Sequence, residues 1–201
     1  MKNLTILAGP NGAGKSTCTE YFLKQNILPS APVNLDDLKK LIDPSQLPDD
    51  ILRFQREEDK KLDELFRELY MKKIASEVDF SYECNLREDQ LKPIPYFEKA
   101  GYSINLIYLS LNDIKQSENR VAERVLQGGH NISKSSIKEN FEEGLKVLDL
   151  TFQDWNSVLI IDNSSDMLSS IFMKDKKLVY KFNLPDCINR KSTPKLYKFL
   201  K

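Results

Sequence analysis

The chain has 201 residues, enough for one domain with a full hydrophobic core. Its 30 basic and 30 acidic residues cancel, so no global charge draws it to nucleic acid or to a membrane surface. No apolar run approaches the ~20 residues of a membrane span, and the N-terminus reads as a buried strand rather than a signal peptide. Cys18, Cys84 and Cys187 form an odd set without metal-ligand spacing, which predicts a reducing cytoplasm.

The first predicted element is a strand over residues 4–8, Leu4-Thr5-Ile6-Leu7-Ala8. It runs into Gly9-Pro10-Asn11-Gly12-Ala13-Gly14-Lys15-Ser16, a complete G-x-x-x-x-G-K-[ST] phosphate-binding loop, and then into a helix over 15–25. Strand, loop and helix in that order are the context in which this motif carries meaning. The glycines let backbone N–H groups turn inward around phosphate, and the helix adds the positive end of its dipole. Pro10, Asn11, Gly12, Ala13, Gly14, Lys15, Ser16 and Thr17 are therefore the predicted nucleotide-binding residues. Lys15 is expected to reach the β- and γ-phosphates, and the Ser16 hydroxyl to sit on Mg²⁺. The motif predicts that the chain binds a nucleoside triphosphate.

Further strands over 32–35, 79–82, 102–109 and 157–161 alternate with helices over 50–76, 87–100, 113–127 and 134–151. In the longest helix Leu62, Leu65, Phe66 and Leu69 recur at helical spacing and are predicted core. Gly101, after Lys99-Ala100, is a helix-terminating glycine. The alternation predicts an α/β fold, a parallel sheet with helices on both faces. The end of the chain differs. Residues 178–182 are a candidate edge strand, and 185–201 read as irregular or loosely helical. Residues 171–201 carry nine Lys or Arg against two Asp, a basic stretch that suits a solvated face or a partner surface, whereas 36–89 is net acidic.

In such sheets ligands gather at the carboxyl ends of the strands. Asp36, Glu83 and Asp162 end or follow strands and should face the phosphate loop, whereas Asp79 opens its strand and should lie at the far edge. Asp36 suits a carboxylate that takes an acceptor proton, a metal neighbour, or an N-cap of the turn over 38–42. Glu83 suits the same cleft or a surface salt bridge. Asp162 closes Val158-Leu159-Ile160-Ile161, the shape of a metal-binding carboxylate strand, and equally suits a turn residue in Asp162-Asn163-Ser164-Ser165. Arg120 and Arg124 stand four apart, just before Gln127-Gly128-Gly129-His130-Asn131. They read as a lid over about 120–135 with a glycine hinge, or as a solvated helix face. His130, the one histidine, reads as a structural residue of that lid loop.

Five segments together resemble the zeta-toxin-like P-loop kinases, particularly the small chromosomal members. They are Ala8 through Thr17; Val33-Asn34-Leu35-Asp36; Phe80-Ser81-Tyr82-Glu83-Cys84-Asn85-Leu86; Arg120-Val121-Ala122-Glu123-Arg124-Val125 with Gly128-Gly129-His130-Asn131-Ile132; and Asp162-Asn163-Ser164. The resemblance implies a P-loop NTPase fold with a five-stranded parallel sheet flanked by helices, adenylate-kinase-like with a short lid. It implies a kinase domain over 1–165, with 166–201 as a C-terminal extension packed on or trailing that domain. It also implies ATP and Mg²⁺ as cofactors and a small-molecule hydroxyl acceptor, the family's best known being UDP-N-acetylglucosamine. Asp36 becomes the base for that hydroxyl, Glu83 lies beside the substrate, Arg120 and Arg124 are the lid arginines, and Asp162-Asn163 border the adenine. Asn85 and Arg87 join the acceptor site, although Cys84-Asn85 stands where the family usually has threonine after the glutamate. An antitoxin protein is the partner implied, yet small chromosomal members often lack one. Nucleic acid and membrane are not expected partners. The function classes are then a small-molecule kinase, acting on a nucleotide sugar or another acceptor, and a nucleotide-gated interaction module that hydrolyses ATP slowly.

Overall fold

Leu4, Ile6, Leu7 and Ala8 of β1 (Asn3–Ala8) are all buried, so this strand is apolar on both faces, as the middle of a parallel sheet requires. The computed structural model describes residues 2–48, 50–129, 131–165 and 170–201. Around β1 stand β2 (Val33–Asn34), β3 (Phe80–Cys84), β4 (Ser103–Ser110), β5 (Ser157–Asp162), β6 (Ser170–Lys174) and β7 (Lys177–Phe182). They form one sheet in the order β2-β3-β1-β4-β5-β6-β7. The first five strands in that order pair in parallel, as expected, but β6 and β7 add an antiparallel hairpin. Among the described residues the sheet therefore has seven strands rather than the five predicted. Asp175 and Lys176, at φ 49° and 62°, make the hairpin turn, a conformation that normally advertises itself as Asn-Gly.

The helices are α1 (Lys15–Lys24), α2 (Leu35–Lys39), α3 (Ile51–Ala75), α4 (Ile94–Lys99), α5 (Ile114–Leu126), α6 (Lys134–Thr151) and α7 (Pro194–Phe199). The helix predicted over 87–100 is broken. A 3-10 turn, Glu88–Leu91, precedes α4, because Pro93 and Pro95 offer no N–H to a continuous helix. Gly101, at φ 76°, closes α4 with its N–H on Glu98 O at 2.9 Å, while Tyr102 N–H reaches Phe97 O at 3.0 Å. On α3 the buried stripe is Phe66 and Tyr70, with Leu62, Leu65 and Leu69 partly covered beside it. Phe66 packs edge-on against Tyr82, and Phe97 of α4 stacks on Phe80 at 5.6 Å.

The tail beyond β7 is built into the same core. Cys187, Ile188, Leu196 and Leu200 are buried. Asp149, on α6 and itself buried, accepts the backbone N–H of Leu196 at 2.7 Å and so caps α7 from a neighbouring helix. Among the described residues, no helix is long and apolar enough to cross a membrane.

Candidate active site

The loop between β1 and α1 has three residues at positive φ: Gly9 (149°), Gly12 (75°) and Gly14 (83°). Close packing adds a second reason for two of them. A Cβ on Gly9 would stand 2.3 Å from Leu109 O, and one on Gly14 would stand 2.5 Å from the Asn163 amide. The loop is held from three sides. The Ser117 hydroxyl on α5 donates to Asn11 O, Asn140 on α6 donates to Asn11 Oδ1 at 2.9 Å, and Asn163 after β5 donates to Ala13 O at 2.8 Å. Lys15 Nζ folds back onto Gly9 O at 2.7 Å, Pro10 O at 3.2 Å and Asn85 Oδ1 at 3.2 Å. Burial lowers the Lys15 pKa, against the opposing pull of Glu83.

A cleft of about 470 Å³ opens over this loop. Residues 11–17 line it, together with Asp36, Glu83, Asn85, Arg120, Arg124 and Asn163. Two predicted site residues lie outside the lining. Pro10 presents its carbonyl to Lys15 and Ala13 from behind the loop. Arg87 turns away to α6, donating to Glu139 at 3.2 Å and to Asp89 at 3.3 Å, with Glu143 at 3.7 Å. Its two glutamate partners on α6 stand some fifty positions along the chain, where no local pattern reveals them.

On the lid side, Arg120 lies over the loop, donating to Gly12 O at 3.4 Å and Ser164 O at 3.1 Å. Arg124, one turn on, is exposed and lines the cleft. Gly128 and Gly129 end α5 in a Schellman arrangement: Gly128 N–H meets Val125 O at 3.0 Å and Gly129 N–H meets Arg124 O at 2.9 Å. The expected hinge is thus a helix cap in this state. His130 lies outside the described residues.

On the opposite wall, Asn34 caps α2 by accepting Asp36 N–H at 2.8 Å. The cap is therefore Asn34 rather than Asp36, whose exposed side chain remains on the cleft wall. Asn34 also donates to Glu83 at 2.6 Å, and Ser16 Oγ stands 3.4 Å from the same carboxylate. Burial pushes the Glu83 carboxyl above its ordinary value, against the Lys15 charge, while Asp36 and Asp37 add to the rise. Gln90 accepts the N–H groups of Asn85 and Arg87 and fixes the segment after β3. Asn34 and Gln90 escaped the sequence reading, although an Asn two before the Asp pair is itself a capping signal.

Asp162, the other carboxylate at a strand end, accepts the N–H of Ser164 at 2.9 Å and its hydroxyl, the behaviour of a turn residue. Asp79 lies at the far edge, where it accepts Asn3 N–H at 2.7 Å. Among the described residues, no cluster of three or more His, Cys, Asp or Glu is arranged to hold a metal ion. Ser16 with Glu83 nonetheless makes a hydroxyl–carboxylate pair beside the loop, which suits an ion that takes its other ligands from phosphates and water.

A family model described as Zeta toxin matches residues 1–176. Among solved structures, one from the PezAT chromosomal toxin–antitoxin system of Streptococcus pneumoniae aligns with a TM-score of 0.59 and 16% identity, covering 99% of this chain and 78% of that one. The AvrRxo1-ORF1:AvrRxo1-ORF2 complex with sulphate ions aligns at TM-score 0.63 and 16% identity, covering 99% of this chain and 63% of that one. The same complex with ATP aligns at 0.60 and 17%, covering 98% and 63%. At such identities these likenesses speak for the fold alone. No curated protein matches the sequence significantly. With the family model spanning the loop, the lid helix and both walls of the cleft, the chain belongs to the zeta toxin family.

Proposed function

We propose that the protein is an ATP-dependent kinase that transfers the γ-phosphate to a hydroxyl of a small molecule. The observation that carries this reading is a complete phosphate loop facing the carboxylates Asp36 and Glu83 across one cleft. Zeta toxin membership supports a phosphotransferase, and the ATP-bound AvrRxo1 neighbour supports ATP as the nucleotide. In this reading Lys15 leaves the Gly9 and Pro10 carbonyls for the phosphates, while backbone N–H groups of residues 11–17 hold them. Arg120 and Arg124 place guanidinium charge over the transferring group. Asp36 accepts the proton of the incoming hydroxyl, and Glu83 and Asn85 orient the acceptor. Ser16 and Glu83 would hold Mg²⁺, which when bound neutralises phosphate charge.

The reference acceptor is the nucleotide sugar that the resemblance brings forward, UDP-N-acetylglucosamine. The PezAT neighbour's toxin–antitoxin system supports an antitoxin protein as a partner. Three free cysteines fit a reducing, cytoplasmic setting.

The test is to incubate the protein with ATP, Mg²⁺ and a metabolite extract and to search by mass spectrometry for species heavier by one phosphoryl group. Such species should form with the wild type and not with Lys15→Ala, which removes several kcal/mol of transition-state stabilisation. ATP consumption without any phosphorylated product would contradict the reading.

A further inference from the structure

We infer that the open edge of β7 docks an extended segment of a partner protein in which acidic and apolar side chains alternate. The inference does not depend on the kinase reading. The residues that carry most of it, 177–201, lie beyond the family match at 1–176. β7 ends the sheet, so every second N–H and C=O along it points outward without a strand partner among the described residues. The opposite edge, β2, is only two residues long, whereas all six residues of β7 are exposed. Proteins normally shorten or cover an edge of that kind.

The two faces beside this edge differ. On one, cross-strand register sets Leu159, Phe172 and Tyr180 side by side, and Phe182 follows on the same face. Tyr180 and Phe182 are 51% and 50% exposed. The row continues into a groove of about 400 Å³ that Ile107, Leu159 and Phe172 help to line. On the other face, Lys181 stands opposite buried Ile171 and donates to Leu200 O at 2.7 Å, which brings the end of α7 alongside β7. There Arg190, Lys198 and Lys201 line a hollow around the Tyr197 ring, with Arg190 and Lys201 at 5.9 and 5.2 Å from its centre. Among the described residues, no carboxylate stands within ion-pair distance of Lys181, Arg190, Lys198 or Lys201.

A strand added to β7 sends alternate side chains to these two faces. Its apolar residues cover Tyr180 and Phe182, and its acidic residues meet the unmatched cations. Charge also selects against a second copy of this chain. Two-fold antiparallel pairing of β7 with itself gathers both sets of cations on one face, where like charges repel. The lysines thus admit an acidic strand and turn away their own.

The test follows the amides of the ¹⁵N-labelled full chain by NMR during titration with a peptide of about ten residues alternating Glu and Val. Shifts should concentrate on residues 177–182 and on α7, and a Lys-Val peptide should bind about tenfold more weakly or not at all. Two further peptides carry N-methyl groups on one or the other set of alternate amides. One of them should lose binding, because its donors face β7. Lys198→Glu with Lys201→Glu, and separately Tyr180→Thr with Phe182→Thr, change exposed positions, and each variant's own spectrum reports that it is folded. Each pair should weaken the Glu-Val peptide about tenfold or more. Shifts confined elsewhere, equal binding of the Lys-Val peptide, full binding by both methylated peptides, or indifference to either pair of substitutions overturns the inference. A dimer of the free chain that dissociates in the Tyr180→Thr and Phe182→Thr variant, read by sedimentation, also overturns it by giving the edge to a second copy.

Discussion

Asn34 donates its side-chain amide to the Glu83 carboxylate at 2.6 Å while its carbonyl oxygen caps α2 through the N–H of Asp36. One side chain thus fixes the direction in which Asp36 leaves its strand and the position of the carboxylate beside the phosphate loop. That coupling makes this wall of the cleft a unit, and it separates the stability of α2 from the role proposed for Asp36.

Glu83 should show opposite effects on stability and activity. Its folded pKa is raised, chiefly by burial, so its uncharged form suits the fold and its contribution to stability falls as pH rises through that value. Glu83→Gln should therefore melt above the wild type at neutral pH, with the difference shrinking towards acid pH, where both carry no charge there. Turnover should drop about tenfold or more, since a carboxylate beside the reacting groups is lost. Thermal melts across pH and initial rates on the same preparation check this. A variant that is less stable and fully active would contradict it.

Gly129 should matter through Arg124. A Cβ at Gly129 would come within 2.6 Å of Arg124 Cγ and 2.9 Å of its carbonyl oxygen. Gly129→Ala should shift the guanidinium and lower kcat, with ATP affinity changed much less, in the same direction as Arg124→Ala. Arg124→Lys should also be poor, because an ammonium lacks the planar fork. Near-normal kcat in all three would make this arginine a solvated helix residue.

Asp149 should stabilise the end of the chain. Asp149→Ala leaves the buried Leu196 N–H without its acceptor, a loss of about 1–3 kcal/mol. Asp149→Asn keeps an oxygen in place and should retain most of the stability. Chemical denaturation of the three proteins separates the outcomes. Equal midpoints for wild type and the alanine variant would show that α7 does not depend on this cap.

Cysteine reactivity should follow burial. Cys84 and Cys187 are buried and both thiols are pushed up to about 12, so at neutral pH each is almost wholly protonated. Cys18 is only half-buried; burial raises its pKa and the Arg120 charge offsets part of that rise. Brief alkylation of the native protein followed by peptide mapping should find Cys18 modified first. Prior labelling of Cys84 or Cys187 would mean that the sheet opens more readily than its packing implies.

The sequence made the nucleotide half of the molecule legible because its signals are local. A glycine loop, a fully apolar strand before it and a helix after it lie within some twenty residues, and β1, α1, α5 and α6 follow within a few positions of expectation. The hairpin β6–β7 was half hidden because Asp175-Lys176 takes a positive-φ turn without glycine. The tail read as irregular or loosely helical; Leu196 and Leu200 stand at helical spacing and α7 forms there, whereas buried Cys187 and Ile188 fit no periodicity, and the Leu196 N–H finds its acceptor on α6, far along the chain. On the Asp36 wall of the cleft, the cap of α2 lay two residues before the aspartate that was weighed for it. Arg87 was drawn to the acceptor by its place in a motif, whereas its partners on α6 depend on tertiary packing.

Asp36→Asn tests the account most directly. Asn34 supplies the cap, so the variant should fold with unchanged stability, and the nucleotide is held elsewhere, so ATP affinity should change little. The account predicts that acceptor phosphorylation falls on the order of 10²–10⁴-fold, the usual loss when a general base is removed. Retained phosphorylation at wild-type rate would contradict Asp36 as the base, and lost phosphorylation together with lost ATP binding would place its role with the nucleotide or its metal instead.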